Sequence, residues 1–477
     1  MLQLPTDCLN DIFENLDDDR STLHSCILVN RLWCEISVRF FWRNGCNYNI
    51  SNFNTLVSCL PNKSKEILSN NGITILSETT KFPTFNYASF CKVLSINHVQ
   101  RKIEALLKNK KSIPTQILKD NTNIVVQEIC KMFMDQISSL KKLVLPNQYN
   151  MPNLALNPGS KDCLKNLSEL RCYSNISSET FYQLSRICQN ISLLNISHGS
   201  PFIPDGLADL ISNQKNLKHF ILGQYIKNAN TSSLIKKLPS TLIKLNLCDF
   251  NYISLSFIAE LSNLQELRFS FEYKEDFIDF EKLSYVNFSQ LQILKFQYSH
   301  PNSELLIRFL ENNGKNLKEF YLSKSNNMIN LSISKFCTNL RKLSAGFKND
   351  ELENLKMILK SCKNLKCIEI FCGGKLLNEK EALEVIVNHS HENISKIILH
   401  HYYCRQSAKL LPKKLESIIV KWANCVPQRL LSLEIFTNKK CKESLDKNKE
   451  NMKIIKKYIK LGIIKNFIIR GFNYDEF

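Results

Sequence analysis

From residue 140 to residue 420 the chain repeats one short pattern, apolar-x-x-apolar-x-apolar. The copies read LKKLVL (from Leu140), LSELRC (Leu167), ISLLNI (Ile191), LKHFIL (Leu217), LIKLNL (Leu242) and LQELRF (Leu264). They continue as LQILKF (Leu291), LKEFYL (Leu317), LRKLSA (Leu340), LKCIEI (Leu365), ISKIIL (Ile394) and LESIIV (Leu415). Successive copies start 21–29 residues apart, and weaker ones start at Cys91 (CKVLSI) and Ile464 (IKNFII). Alternation of this kind predicts short strands with one buried face. The intervening segments FYQLSRICQN, ELLIRFLENNGKN, ELENLKMILKSCKN and EKEALEVIVNHSHEN carry apolar residues three and four apart. That spacing predicts helices, and most of these segments reach Asn or Gly before the next strand. The predicted class is α/β, with strand, turn and helix repeating.

The first forty-five residues obey a different pattern. In LPTDCLNDIFENLDDD, Leu9, Ile12, Phe13 and Leu16 recur at helical spacing. Pro5 suits the first turn, and Thr6 or Asp7 can cap it. Further on, Leu23, Cys26, Ile27, Leu28, Val29, Leu32, Trp33, Ile36, Val38, Phe40, Phe41 and Trp42 cover nearly the whole helical circumference. Two or three helices this short close only a small core. Some of their apolar surface must be covered by another chain or by the rest of this one.

Leu4-Pro5, Cys8-Leu9, Ile12-Phe13, Leu16, Leu23, Cys26, Val29, Arg31, Trp33 and Phe41-Trp42 together resemble an F-box, in order and spacing, over residues 2–43. Asn30 departs from it, since many members carry Cys before the Arg. The resemblance implies docking onto the Skp-type adaptor of an SCF (cullin–RING) ubiquitin ligase. Carried over, Leu4, Pro5, Leu9, Ile12 and Phe13 would form much of the adaptor-facing surface. Leu16, Val29 and Trp33 would divide between that surface and the motif's own core. The plain alternative is a hydrophobic end-cap on the repeats.

The repeats resemble leucine-rich repeats over residues 90–425. That resemblance implies a solenoid, a horseshoe with parallel strands inside the curve and helices outside. The Asn or Cys that usually comes after the strand is visible at Asn175 and mostly absent elsewhere, which predicts irregular turns. The expected organisation is an F-box over 1–45, a helical linker with irregular first repeats over 46–139, the solenoid over 140–425, and a C-terminal cap over 426–477. Within 46–139, VQRKIEALLKNKK and NIVVQEICKMFMDQISS read as helices. The cap holds KNKENMKIIKKYIK, a basic amphipathic stretch expected as a terminal helix closing the last repeat, with a membrane or acidic surface as the rival reading.

In each strand the residue between the last two apolar positions faces the inner side. That track reads Val144, Arg171, Asn195, Ile221, Asn246, Arg268, Lys295, Tyr321, Ser344, Glu369, Ile398 and Ile419, flanked by Tyr173, Glu266, Glu319 and Phe371. Arg and aromatic residues anchor protein interfaces. The expected target-binding residues are therefore Arg171, Tyr173, Arg268, Lys295, Tyr321 and Phe371.

Charge and chemistry narrow the function. The net charge is +19, yet residues 1–45 carry seven acidic and four basic side chains, so the remainder is +22. A basic remainder suits nucleic acid or an acidic partner. The lysines are dispersed, which favours a solvated surface and counts against nucleic acid. No stretch is apolar for long enough to span a bilayer, and no secretion signal opens the chain. The 18 cysteines, without a C-x-x-C pair, read as reduced and mostly buried, and a cytoplasmic or nuclear location is the expectation. There is no phosphate-loop, G-x-S-x-G or H-E-x-x-H motif. His389, His391, His400, His401 and Cys404 cluster in sequence but match no standard zinc spacing. Cys362, Cys367 and Cys372 are evenly spaced, as repeat packing would also produce. The expectation is a non-catalytic substrate receptor without cofactor or metal. It would bind a Skp-type adaptor, and through it cullin and RING subunits, together with a target protein and no membrane. The rivals are a repeat scaffold without a ligase role and a basic nucleic-acid-binding module.

Overall fold

The computed structural model describes residues 4–16, 18–73, 83–108, 114–147, 154–199, 203–224, 232–248, 253–401, 409–424, 430–437 and 441–471. The chain divides into two compact units, Met1–Pro239 and Ser240–Phe477.

The first unit opens with three helices, α1 (Thr6–Glu14), α2 (Arg20–Ile27) and α3 (Arg31–Phe41). Each starts at a residue that suits a helix end. Pro5 precedes α1, the Asp19 carboxylate accepts from Thr22 N at 3.1 Å, and the Asn30 side chain accepts from Trp33 N at 2.9 Å. The departure from the F-box pattern at Asn30 is thus the cap of α3. Leu9, Phe13, Leu23, Cys26 and Ile36 form the buried core of the bundle, with Leu16, Leu32, Trp33, Phe40 and Phe41 packed against it. The Phe13 and Trp33 rings meet edge to face at 5.4 Å.

The bundle runs directly into a sheet. The Arg43 carbonyl accepts from Lys92 N and Val93 N, at 2.8 and 3.2 Å. A Cβ on Gly45 would lie 2.8 Å from Val93 O, so only glycine allows that approach. Five parallel strands come next in chain order: β1 (Val93–Ser95), β2 (Lys142–Val144), β3 (Glu169–Tyr173), β4 (Leu193–His198) and β5 (His219–Gln224). Helices Ile96–Lys108 and Thr115–Gln136 lie between β1 and β2.

The second unit continues the same repeat. Its strands are β6 (Lys244–Cys248), β7 (Glu266–Ser270), β8 (Ile293–Phe296), β9 (Glu319–Leu322), β10 (Lys342–Gly346), β11 (Cys367–Phe371), β12 (Lys396–His400), β13 (Leu431–Phe436) and β14 (Ile464–Arg470). Each pairs parallel with the next. The architecture is the leucine-rich-repeat α/β solenoid. The strands up to β13 send their apolar alternate residues, such as Leu245, Leu247, Leu267, Ile368 and Ile370, into a core under the helices, where they are fully buried or nearly so, whereas on β14 Ile469 stays exposed.

Where the connecting helix is short, aromatic side chains fill the space. Between β6 and β8 the connections are a 3-10 turn at Leu255–Glu260 and the five-residue helix Phe280–Ser284. Phe269 there stacks on Phe296 at 5.3 Å and meets Phe271, Phe277 and Phe280 edge-on.

Two expectations are corrected. LESIIV lies inside the helix Pro412–Ala423, with Pro412 in its first turn, so Ile419 is a buried helix residue off the sheet. The strand of that repeat is β13, further along the chain. The basic stretch is the helix Lys449–Lys460, and it sits between two strands of the ladder because β14 comes after it.

Turn regularity comes from a residue the usual pattern does not supply. Asn precedes the first apolar residue of many copies, as in Asn263-Leu264, Asn339-Leu340 and Asn393-Ile394. Its side-chain amide donates to a carbonyl one repeat back: Asn263 to Ser240 O (2.8 Å), Asn339 to Lys315 O (2.9 Å) and Asn393 to Lys363 O (2.8 Å). Three positions before the first apolar residue, Cys188, Gln214, Cys337 and Cys362 occupy one buried site. Burial pushes the Cys188 thiol up to about 12 and the Cys362 thiol up to about 11, as inert packing groups require. Fifteen cysteines among the described residues are free thiols.

Asn313 is a further buried polar connector, and like Gln214 it makes three such bonds. Fully buried, it accepts from Phe288 N at 2.7 Å and donates to Val286 O and Phe309 O at 2.9 and 3.1 Å. Asn313→Ala leaves those backbone groups buried and unpaired, so it should lower the unfolding free energy by about 1–3 kcal/mol. An unchanged urea midpoint for the variant contradicts that role.

Candidate functional site

Two surfaces carry the residues singled out from the sequence. Cys8 and Ile12 lie one turn apart on α1, and both are exposed along with Leu4 and Pro5 just before the helix. Leu28 and Val29, between α2 and α3, are exposed as well. The fractional exposures are 49% for Leu4, 43% for Ile12, 74% for Leu28 and 56% for Val29. The core side of α1 is different. Leu9 and Phe13, expected on the adaptor-facing surface, have no exposed area, because they fill the bundle's own core. Leu16 and Trp33 are packed against that core, Trp33 half-buried.

The second surface is the face of the sheet that carries no helices. In the first unit, Arg171 is exposed and pairs with Glu169 at 2.8 Å, and Tyr173 is half-buried one outward position further along β3. In the second unit one outward row across β6–β14 reads Asn246, Arg268, Lys295, Tyr321, Ser344, Glu369, Ile398, Glu434 and Ile468. Arg268, Lys295 and Tyr321 line one cavity of about 230 Å³. Tyr321 and Phe371 are buried rather than projecting, with their rings edge to face at 5.6 Å. Phe371 meets His400, and His400 stacks on Phe436, each at 5.1 Å, so a wall of aromatic rings stands beside the cavity and lines it through its two ends, Tyr321 and Phe436.

The floor is a lattice of charges joined along a strand, directly across to the next strand and diagonally to it. Glu266, almost fully buried, is shared by Lys244 at 3.2 Å and by Arg268. Glu434 is shared in the same way by Lys396 at 2.7 Å and by Arg470. Burial alone would raise both carboxyls, but the two cations on each outweigh it and hold them below the ordinary range. Glu369 goes the other way. It is buried, accepts from Ser344 Oγ at 2.7 Å and has Lys342 only at 4.0 Å, so its carboxyl is raised. Lys295 lies 3.8 Å from Glu319, and burial together with the Arg268 charge lowers it.

Sequence reading named Arg268, Lys295, Tyr321, Phe371 and Glu369 but missed Lys342, Lys396, Glu434 and Arg470. Lys342 and Lys396 stand at the outward position already noted for Glu266 and Glu319. Glu434 would have been found from Leu430-x-x-Leu433-x-Ile435, an unread copy of the repeat.

The histidine cluster does not converge. His391 Nε2 bonds Cys362 O at 2.8 Å, His401 Nε2 bonds the buried Glu379 carboxylate at 2.7 Å, His400 lies in the aromatic wall and His389 is exposed. Cys404 lies outside the described residues. Among the described residues no group of three or more His, Cys, Asp or Glu could hold a metal ion. No helix among them is long and apolar enough to cross a membrane.

No protein-family model matches this chain, and neither does any curated protein. Among solved structures it is similar to an internalin from Listeria monocytogenes, at 15% identity over 80% of this chain and 93% of that one, with a TM-score of 0.35. It is similar to the yeast Rad7 and Elc1 complex at 14% identity, over 92% of this chain and 94% of that one, with a TM-score of 0.36. The leucine-rich-repeat protein LegL7 from Legionella pneumophila shares 18% identity, covering 60% of this chain and 90% of that one, with a TM-score of 0.32. These likenesses are distant, and the repeat architecture stands on the strand ladder itself.

The aromatic wall makes a pH prediction. Burial and the neighbouring His401 lower His400 from 6.5 to about 4. The unfolded chain therefore takes up this proton first as pH falls. The stability of the neutral ring is complete above about pH 6.5 and is lost progressively toward pH 4. His400→Phe keeps the ring stack and removes that titration. The variant should lose less stability than the parent between pH 7 and 4.5, by up to about 3 kcal/mol. Parallel acid profiles would contradict this.

Proposed function

We propose that the chain is a substrate receptor of an SCF-type cullin–RING ubiquitin ligase. In this reading α1–α3 dock on a Skp-type adaptor, and the repeats hold a target protein. The observation that carries the reading is the exposed apolar set Leu4, Pro5, Ile12, Leu28 and Val29 on a bundle whose core is already filled. Four large side chains left about half exposed leave roughly 3–6 kcal/mol of burial unrealised. A partner chain gains that on docking. The F-box pattern of these residues says which kind of partner, and Leu9 and Phe13 then serve by holding α1 in place rather than by contact.

The receptor itself performs no chemistry. It raises the effective concentration of target lysines beside a charged conjugating enzyme, and its repeats supply a rigid surface on which to do so. A protein-binding scaffold without a ligase is the coarser form of the same reading, and adaptor binding separates the two. A nucleic-acid binder using the +22 remainder is disfavoured, because Glu266, Glu369 and Glu434 interrupt the cations of the open sheet face.

Pro5→Ala combined with Ile12→Asp changes exposed positions only. It should abolish co-purification with a co-expressed Skp-type adaptor while leaving the circular dichroism and melting of the repeats unchanged. Phe13→Ala should instead cost about 3–5 kcal/mol through its cavity in the bundle. Full adaptor recovery with the double variant would sink the ligase reading and leave the scaffold.

A further inference from the structure

The charges of the open sheet face in the second unit do not balance. Glu266 serves two cations, Lys244 and Arg268, and Glu434 serves two, Lys396 and Arg470. Each trio is left with one positive charge. Lys295 and Lys342 are held only at 3.8 and 4.0 Å from their carboxylates, the far edge of ion-pair distance. Arg268, Lys295 and Lys342 also stand close enough for their like charges to act on one another. Partly buried cations are screened less than surface ones, so this surplus concentrates its potential in the cavity. Tyr321, Ile398 and Phe436 line the same cavity and give it an apolar side.

We propose that this face binds an acidic segment of a partner protein, whose Asp or Glu carboxylates settle on Lys295 and Lys342 while an adjacent apolar residue packs against Tyr321 and Ile398. Three observations select a peptide. The surplus is spread over several strands, which one small anion would not span. The carboxylates of Glu369 and Glu434 in the cavity call for neutral N–H donors, which the backbone of a peptide carries between its acidic side chains and a phosphodiester backbone lacks. A cavity of about 230 Å³ has room for one or two side chains and not for a drug-sized molecule. The inference rests on the receptor reading only in naming this segment as the target's. The binding itself needs no ligase.

The test uses the full chain and a fluorescein-labelled peptide of Glu and Ala with one central Phe, read by anisotropy. Saturable binding that weakens with added salt is expected. Lys295→Gln with Lys342→Gln should weaken it at least about tenfold, through loss of the two anchoring cations. Lys360→Gln with Lys413→Gln, on helix positions away from the cavity and equal in charge change, should leave it unaltered. Free glutamate and inorganic phosphate should compete poorly. The proposal is overturned if the all-Gln version of the peptide binds equally, if both variant pairs weaken binding alike, or if no binding occurs. It is also overturned if free glutamate or phosphate competes as well as the peptide, which makes this a small-anion site. Tighter binding of a single-stranded oligonucleotide of equal charge overturns it in favour of nucleic acid. Adaptor co-purification of the parent chain keeps the two readings apart, because adaptor recovery alongside absent peptide binding by that chain sinks this inference alone.

Discussion

Every strand from β1 to β13 carries one face that cannot stay in water. Leucine, isoleucine and phenylalanine at alternate positions of a short strand make an apolar surface that a single strand and helix cannot cover. Neighbouring repeats cover it for one another. Leu245, Leu267, Leu294, Phe320, Leu343, Ile368, Ile397 and Leu433 occupy one pairing register through β6–β13, and each is at most about 1% exposed. Parallel pairing in a fixed register is the consequence, because a one-residue slip would turn this row into solvent.

That constraint also sets what the opposite face can be. With the apolar side committed, the outward residues are free to be polar, and strands about 4.8 Å apart place their charges side by side. The second unit uses this to build ion-pair trios: Glu266 is held by Lys244 directly opposite and Arg268 along its own strand, and Glu434 by Lys396 and Arg470 on its two neighbouring strands. The outcome is a surface organised by the same register that buries the core. The three-helix bundle obeys the opposite economy. It has too few residues to hide all its apolar side chains, so Leu9 and Phe13 go inside while Ile12 and Val29 stay in solvent.

The repeat fold was legible because its signal recurs: eleven of the twelve strong copies, and both weak ones, are strands. The twelfth shows where the signal fails. LESIIV satisfies the strand template and a helical one equally, and Pro412 at the first turn decides for helix. The true strand at Leu431–Phe436 lies beyond an unusually long connection. The Asn connectors were visible as letters, but their use became clear only from the carbonyls they reach one repeat back. The bundle's division into core and exposed sides was half legible. Helical spacing put Leu9, Ile12 and Phe13 on one broad stripe, and only the packing of α3 against α1 separates Ile12 from the other two. Ion-pair trios depend on which outward residues of adjacent strands stand beside one another, which periodicity alone does not disclose.

Hydrogen exchange of the full chain with and without a Skp-type adaptor tests the central claim most directly. Docking through the bundle predicts that protection rises in residues 4–16 and 20–41, where the exposed apolar side chains sit, while β6–β14 exchange as before. Unchanged exchange in those helices at saturating adaptor, or protection appearing only in the repeats, contradicts it.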